Sequence, residues 1–185
     1  MNISNIVAFL GPEGTFTQVA ALNHFGREQG FKACATIDDV FAAVEQKLAG
    51  YGVVPVENST EGAVNNTQDC LISSEVQIVG EVIVPIEHHL LVAQNSDVAA
   101  LCKIASHKQS FAQCRKWLLM HYPNIDLVEC TSNAEAARLA KHDIRIAAIA
   151  GMLAAETYDL IPIKRKIQDE EHNSTRFLVL ADKET

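Results

Sequence analysis

The chain has no basic block large enough to offset its acids: 15 Lys and Arg stand against 23 Asp and Glu, a formal net charge of −8. That balance excludes a surface built to bind nucleic acid or an anionic membrane. Cysteine is sparse and unpatterned, with five residues at positions 34, 70, 102, 114 and 130 and no CxxC pair. An odd number at wide spacing excludes a disulfide framework and a zinc site, and reads as the reduced thiols of a cytosolic protein. No apolar stretch approaches the roughly 18 residues of a membrane span. Met1-Asn2-Ile3-Ser4-Asn5 leads straight into a strand-like run, where a secretory signal would place a basic and then an apolar region. The expectation is a cytoplasmic protein, and the four Asn-X-Ser/Thr sites at Asn2, Asn58, Asn65 and Asn173 are then accidental as glycosylation acceptors. Their amides and hydroxyls call for another role or for none.

What the chain does contain is 185 residues at 48% hydrophobic composition, enough to bury a core as one domain or as two small lobes. Strand-like and helix-like segments alternate throughout. "NIVAFL", "CATI" and "YGVVPV" are strand candidates, with helical spacing over "GPEGTFTQVAALNHFGREQ" and "DDVFAAVEQKLAG" between them. "AVNNTQDCLI" reads as a helix, and "VQIVGEVIVPIEHHLLVA" as one or two strands broken by Gly80 and Pro85. "KIASH", the helical "KQSFAQCRKWLLMHY" and "IDLVEC" follow. Ser132 and Glu135 form an S-x-x-E capping box before "NAEAARLAKH". "RIAAIA", the helical "GMLAAETY", "DLIPIKRKIQ" and "TRFLVLA" close the chain. Such alternation predicts an α/β fold with mostly parallel sheets covered by helices.

In an open α/β sheet, ligands meet the loops beyond the carboxyl ends of the strands. Four such loops are dense in polar residues. In "GPEGTF", Gly11 and Gly14 permit tight backbone and Thr15 can cap a helix whose N–H groups would take an anion; for this segment alone, an ordinary glycine turn with an ordinary cap is the favoured account. It is neither GxGxxG nor GxxxxGK[ST], which argues against a nucleotide. After "YGVVPV" come Glu57, Asn58, Ser59 and Thr60, a carboxylate, an amide and two hydroxyls at the end of a buried strand. After "KIA" come Ser106 and His107, with Gln109 and Gln113 one helical turn apart. In "NSTRFLVLA", strand alternation points Thr175 and Phe177 one way and Arg176 the other. His88 and His89 lack a third ligand spaced for a metal, Cys114 reads as core, and no Ser-His-Asp arrangement with a nucleophile elbow is present.

These clusters, in this order, carry a family resemblance. "GPEGTFTQVA", "VPVENSTEGAVNNTQDCL", "SHKQSFAQC", "TSNAEAA" and "IQDEEHNSTRFLVL" together resemble the catalytic domain of prephenate dehydratase along nearly the whole chain. Lys108 replaces a usual proline, and Gly151 and Asp159 stand where the family more often has Ser and Gly. The resemblance implies a two-lobed α/β fold like the type II periplasmic binding proteins, with the active site in the inter-lobe cleft. Residues 1–80 plus 168–185 would form lobe 1 and residues 81–167 lobe 2, with hinges near 80–85 and 160–172. It also implies that Glu57, Asn58, Ser106, Gln113, Thr175 and Arg176 match functional positions. Ser59, Gly14, Thr15 and Phe177 complete the expected substrate contacts. No cofactor and no metal are implied, and a homodimer is. The family usually carries a C-terminal ACT domain that senses phenylalanine; this chain stops at Thr185, so phenylalanine feedback is not expected of it.

The implied reaction expels CO2 and water from prephenate and leaves aromatic phenylpyruvate. Thr175 would donate a hydrogen bond to the departing hydroxyl, and Arg176 would set the local potential or hold a carboxylate. Glu57 would be either a protonated donor or the partner of Arg176, while Asn58, Ser106 and Gln113 bind substrate oxygens. Three other readings stay open: an arogenate dehydratase, a non-aromatising prephenate decarboxylase, and a non-catalytic small-anion binding module on the same fold.

Overall fold

The computed structural model describes residues 6–183, so the Asn2 acceptor site lies outside the described residues. In chain order the elements are β1 (Ile6–Leu10), α1 (Phe16–Phe25), β2 (Gly30–Cys34), α2 (Ile37–Glu45), β3 (Tyr51–Asn58), β4 (Gly62–Ala63), α3 (Asn65–Ser73) and β5 (Gln77–Pro85). They continue as β6 (His89–Ala93), β7 (Lys103–His107), α4 (Lys108–Gln113), α5 (Arg115–His121), β8 (Asp126–Cys130), α6 (Asn133–His142), β9 (Ile146–Ala150), α7 (Met152–Tyr158), β10 (Leu160–Lys164) and β11 (Ser174–Ala181). A 3-10 turn covers Val98–Ala100. The chain divides into two compact units: residues 6–12, 16–85 and 173–183 form the first, and Glu13–Thr15 with Ile86–His172 the second.

Unit 1 holds a sheet in the order β2-β1-β3-β11-β5, with the two-residue β4 added to β3. β1 runs parallel to β2 and β3, whereas β11 is antiparallel to both β3 and β5. Helix α2 begins with a complete capping box, in which Thr36 Oγ1 accepts from Asp39 N at 3.1 Å and Asp39 Oδ2 accepts from Thr36 N at 3.1 Å. Its buried positions, Ile37, Val40, Phe41 and Val44, recur at helical spacing. Val40 and Phe41 pack with Ala8, Val54, Leu178 and Leu180. Gly52 allows that approach: a Cβ there would lie 2.9 Å from Val40 Cγ1 and 3.0 Å from Val44 Cγ2.

Unit 2 repeats the wiring. Its sheet runs β8-β7-β9-β6-β10, with β7 parallel to β8 and β9 and β6 antiparallel to β9 and β10. Both sheets therefore consist of three strands in parallel, one strand against them, and a fourth in the original direction. One face of unit 2 packs Leu91 and Ala148 on the alanines of α6, and the other packs Leu90, Val92 and Ile149 on Cys114 and Leu118. Strands buried on both faces read as continuous apolar runs, as "HLLVA" and "IAAIA" do.

The two-unit α/β architecture agrees with expectation; four details differ. The sheets are mixed, because β11 and β6 each run against their neighbours. The division falls at Pro85 and His172 rather than at 80 and 167, since β5 stays paired with β11 up to Pro85, opposite Ser174. That pairing makes residues 80–85 regular strand rather than a free connection. The helix expected over 108–122 is split at Cys114, where Asp169 supplies acceptors to Lys116 N (2.9 Å) and Trp117 N (3.2 Å) and so opens α5.

Candidate active site

On unit 1 the polar residues gather where the end of β3 meets the start of β11. Thr175 pairs across from Asn58, and Arg176 across from Glu57, in antiparallel register. Val56 is an extra residue in β3 at this point, a bulge that re-aims the strand end. The carbonyl of Pro55 beside it accepts from the buried Thr67 Oγ1 at 2.6 Å, which gives the hydroxyl of the Asn65 acceptor site a structural task.

Asn58 is the hub. Its Nδ2 donates to Thr175 Oγ1 (2.8 Å), Asn173 Oδ1 (3.0 Å) and Ser174 O (3.3 Å). Its Oδ1 accepts from Thr60 Oγ1 (2.7 Å), Thr60 N (2.9 Å) and Glu61 N (3.2 Å). Backbone N–H groups only donate, so the orientation of this amide is unambiguous. Ser59 ties the same two segments: its N donates to Ser174 O at 2.9 Å and its Oγ accepts from Ser174 N at 3.0 Å. The Asn58 and Asn173 acceptor sites are thus one hydrogen-bonded knot.

Thr175 is 8% exposed, and Arg176, on the opposite side of the strand, has 44% of its side chain in solvent. Arg176 reaches Glu57 Oε2 at 3.2 Å and Glu81 Oε2 at 3.4 Å. Of the two readings of Glu57, the contact with Arg176 is the one this geometry favours. The Arg176 guanidinium lies on the other side of the strand from Thr175, as alternation predicts, with two carboxylates as its partners. Phe177, expected to touch substrate, is 2% exposed and belongs to the core.

On unit 2 the polar residues lie beyond the carboxyl ends of β7 and β8. Ser106 is fully buried, and its Oγ bonds Ile149 O at 2.9 Å and Asn133 Oδ1 at 3.0 Å. A hydroxyl has one proton and both partners are acceptors, so Ser106 directs that proton to the protein. Asn133 Oδ1 also takes His107 N at 3.1 Å and Ser110 Oγ at 2.9 Å. Ser132 caps α6 through Glu135 N at 3.0 Å as predicted, but the Glu135 carboxylate turns to Arg138, with 2.9 and 2.6 Å contacts. That bond holds the Glu135 carboxyl below the usual carboxylate range.

Gln113 closes α4. Its Oε1 lies 2.7 Å from Nε2 of the buried His88, whose pKa is lowered chiefly by loss of hydration. With the Gln113 amide oxygen facing it, a neutral His88 imidazole donates from Nε2. Gln113 O accepts from Asp169 N at 2.7 Å, and His88 N donates to Gln168 Oε1 at 3.0 Å. The "IQD" segment thereby fixes both ends of the pair.

Gly14 and Thr15 group with unit 2. Gly14 has φ +87°, and a Cβ there would approach Ala154 Cα to 3.1 Å, so the turn needs glycine twice over. Tyr158 Oη donates to Glu13 O at 3.2 Å and pins the same turn to α7. Thr15 directly precedes α1, in the N-cap position.

Among the described residues no group of three His, Cys, Asp or Glu is placed to hold a metal, and no helix is long and apolar enough to cross a membrane. Cys114 is buried and its thiol is pushed up to about 12 by loss of hydration, which keeps it protonated and unreactive. Asn133, Asp169 and Glu81 were not singled out from the sequence, and His88 was weighed there only as a metal ligand. Each is joined to its partner across 25 to 95 positions, a distance no local pattern reports.

The prephenate dehydratase family profile matches residues 7–185. A bifunctional chorismate mutase/prephenate dehydratase of Stutzerimonas stutzeri is 51% identical over 178 residues, which cover 96% of this chain and 49% of that protein. The chain spans about half the length of the curated bifunctional relatives it matches, at 47–50% of their length. Among solved structures, a prephenate dehydratase from Arthrobacter aurescens in complex with L-Phe superposes with a TM-score of 0.88 at 31% identity, covering 96% of this chain and 60% of that one. GqqA, described as a novel type of quorum quenching acylase, gives a TM-score of 0.85 at 28% identity, covering 96% of this chain and 64% of its own. With a family profile over nearly its whole length and relatives 51% identical across 96% of it, the chain belongs to the prephenate dehydratase family.

Proposed function

We propose that this chain catalyses the decarboxylating dehydration of prephenate to phenylpyruvate, CO2 and water, a step of phenylalanine biosynthesis. The observation that carries the reading is the 2.8 Å bond from Asn58 Nδ2 to Thr175 Oγ1. By filling a lone pair of the hydroxyl oxygen, Asn58 directs the Thr175 proton away from itself and polarises the O–H bond toward an external acceptor.

The reaction balances as prephenate dianion plus one proton giving phenylpyruvate anion, CO2 and water. The C–C bond to the ring carboxylate breaks, its electron pair enters the ring, and the C–O bond to the ring hydroxyl breaks as that oxygen takes up the proton. Aromatisation supplies the driving force, so the reading needs no organic cofactor. Thr175 assists at the departing oxygen as a hydrogen-bond donor; with an unactivated hydroxyl it stabilises developing charge or relays a proton rather than supplying it alone. Gln113, with its amide oxygen held by His88, is assigned to a substrate oxygen, and Gly14 and Thr15 to a carboxylate. Arg176, Glu57 and Glu81 contribute the local potential only.

The test is incubation of the purified chain with prephenate and, separately, with arogenate, with products identified by mass spectrometry. Phenylpyruvate formed from prephenate faster than in an enzyme-free control is the expected result. Faster reaction of arogenate would reassign the substrate, and a decarboxylated product that keeps its hydroxyl would make the chain a decarboxylase. Binding without turnover would leave a small-anion binding module. The same reading carries a cytoplasmic location and a homodimer, the latter open to sedimentation measurement.

A further inference from the structure

We propose that Asn133 is the residue that offers a hydrogen-bond donor to the substrate from unit 2, and that Ser106 and Ser110 are positioning residues acting through it. The inference rests on the dehydratase reading for the identity of the ligand, an organic carboxylate. Ser106 itself is fully buried with its hydroxyl bonded to Ile149 O and Asn133 Oδ1. What the surrounding groups achieve together is the orientation of one amide. His107 N approaches the Asn133 side chain at 3.1 Å, and a backbone N–H can only donate, so the atom it meets is oxygen. Ser110 Oγ at 2.9 Å and Ser106 Oγ at 3.0 Å converge on the same atom.

With His107 N and Ser110 Oγ donating to it and the single Ser106 proton divided between it and Ile149 O, the amide oxygen is fully engaged, and Asn133 Nδ2 is turned to the opposite side. Among the described residues Nδ2 meets no acceptor. Capping does not explain the arrangement, since Ser132 already serves α6 by accepting from Glu135 N. Asn133 is the first residue of α6, partly exposed, immediately beyond the carboxyl end of β8 and beside that of β7. In an open α/β sheet this is where ligands are met. Its neutral amide places two N–H groups there without a compensating negative charge, a match for a carboxylate or keto oxygen.

The deciding variant is Asn133→Asp. It keeps an acceptor for His107 N, Ser106 and Ser110 while replacing the donor by a carboxylate, and Asn133→Ala removes the side-chain amide altogether. Prephenate affinity is measured by calorimetry and turnover by product formation, with melting temperature as the check on folding. We expect Asn133→Asp to melt with the unmodified chain and to bind prephenate at least tenfold more weakly. Ser106→Ala should weaken binding several-fold alone and add nothing in an Asn133→Ala background, because the two act as one unit. Unchanged affinity in Asn133→Asp and Asn133→Ala would overturn the proposal. So would a Ser106→Ala effect of the same size with and without Asn133. An unmodified chain that binds prephenate but forms no phenylpyruvate would remove the dehydratase reading and leave the affinities to decide Asn133; one that binds no prephenate would remove both.

Discussion

At the scale of single residues, the site on unit 1 is organised by amides that hold hydroxyls in place. Thr175→Ala removes a donor used at the departing oxygen, and we expect kcat to fall about a hundredfold, roughly 3 kcal/mol of transition-state stabilisation, with KM little changed. Steady-state kinetics on prephenate would show this; an unaltered kcat would take Thr175 out of the mechanism. Alternation along "STRF" was enough to separate Thr175 from Arg176, and the structure keeps them on opposite sides. The same pattern could not reveal that Ser106 is buried or that Gln113 answers to His88, because those facts depend on strands and helices brought together from distant parts of the chain. The two buried histidines carry a pH signature. Loss of hydration lowers the pKa of His88 and of His89 below the ordinary 6.5. The unfolded chain therefore binds more protons than the folded one once pH falls below that value. Stability is complete above it and declines on acidification. Thermal melts between about pH 7 and pH 5 should show a falling melting temperature; a flat profile would contradict the neutral, buried assignment.

At the scale of elements, close approach matters more than propensity. Gly52 lies where α2 crosses β3, and both side chains that a new Cβ would strike are β-branched valines with stiff χ1 angles. Gly52→Ala should destabilise the fold by about 1–3 kcal/mol, measurable by denaturant titration, despite the gain in backbone rigidity. Equal stability would mean that α2 can slide on the sheet. Most elements were legible from apolar periodicity: "YGVVPV" and "RIAAIA" formed as read, and of the capping box at Ser132 the Ser132 half formed while Glu135 turned to Arg138. The break at Cys114 was not, because the acceptor that opens α5 comes from Asp169. Nor was the bulge at Val56, which exists only relative to β11.

At the scale of the molecule, the two units share one strand order but are closed by different means. Unit 2 is completed by β6, which joins β9 with His89 opposite Ala150, 61 positions on, while unit 1 waits for β11, which pairs with β3 some 117 positions away at Thr175 and Asn58. Long-range pairing of this kind is slow, because loop closure must precede its reward. Pulsed hydrogen exchange during refolding should protect amides of β7 and β9 before those of β11; simultaneous protection would show one cooperative unit. The knot of Asn58 and Asn173 has a practical consequence for production. Asn173 is 5% exposed with its Oδ1 held by Asn58 and Ser59, so the folded protein does not present it to any enzyme. A growing chain passing through a glycosylating secretory pathway presents that tripeptide before β11 has found its place. A sugar attached there could not be accommodated between the two strands, and such a host would return misfolded material from a gene that a bacterial cytosol expresses without modification.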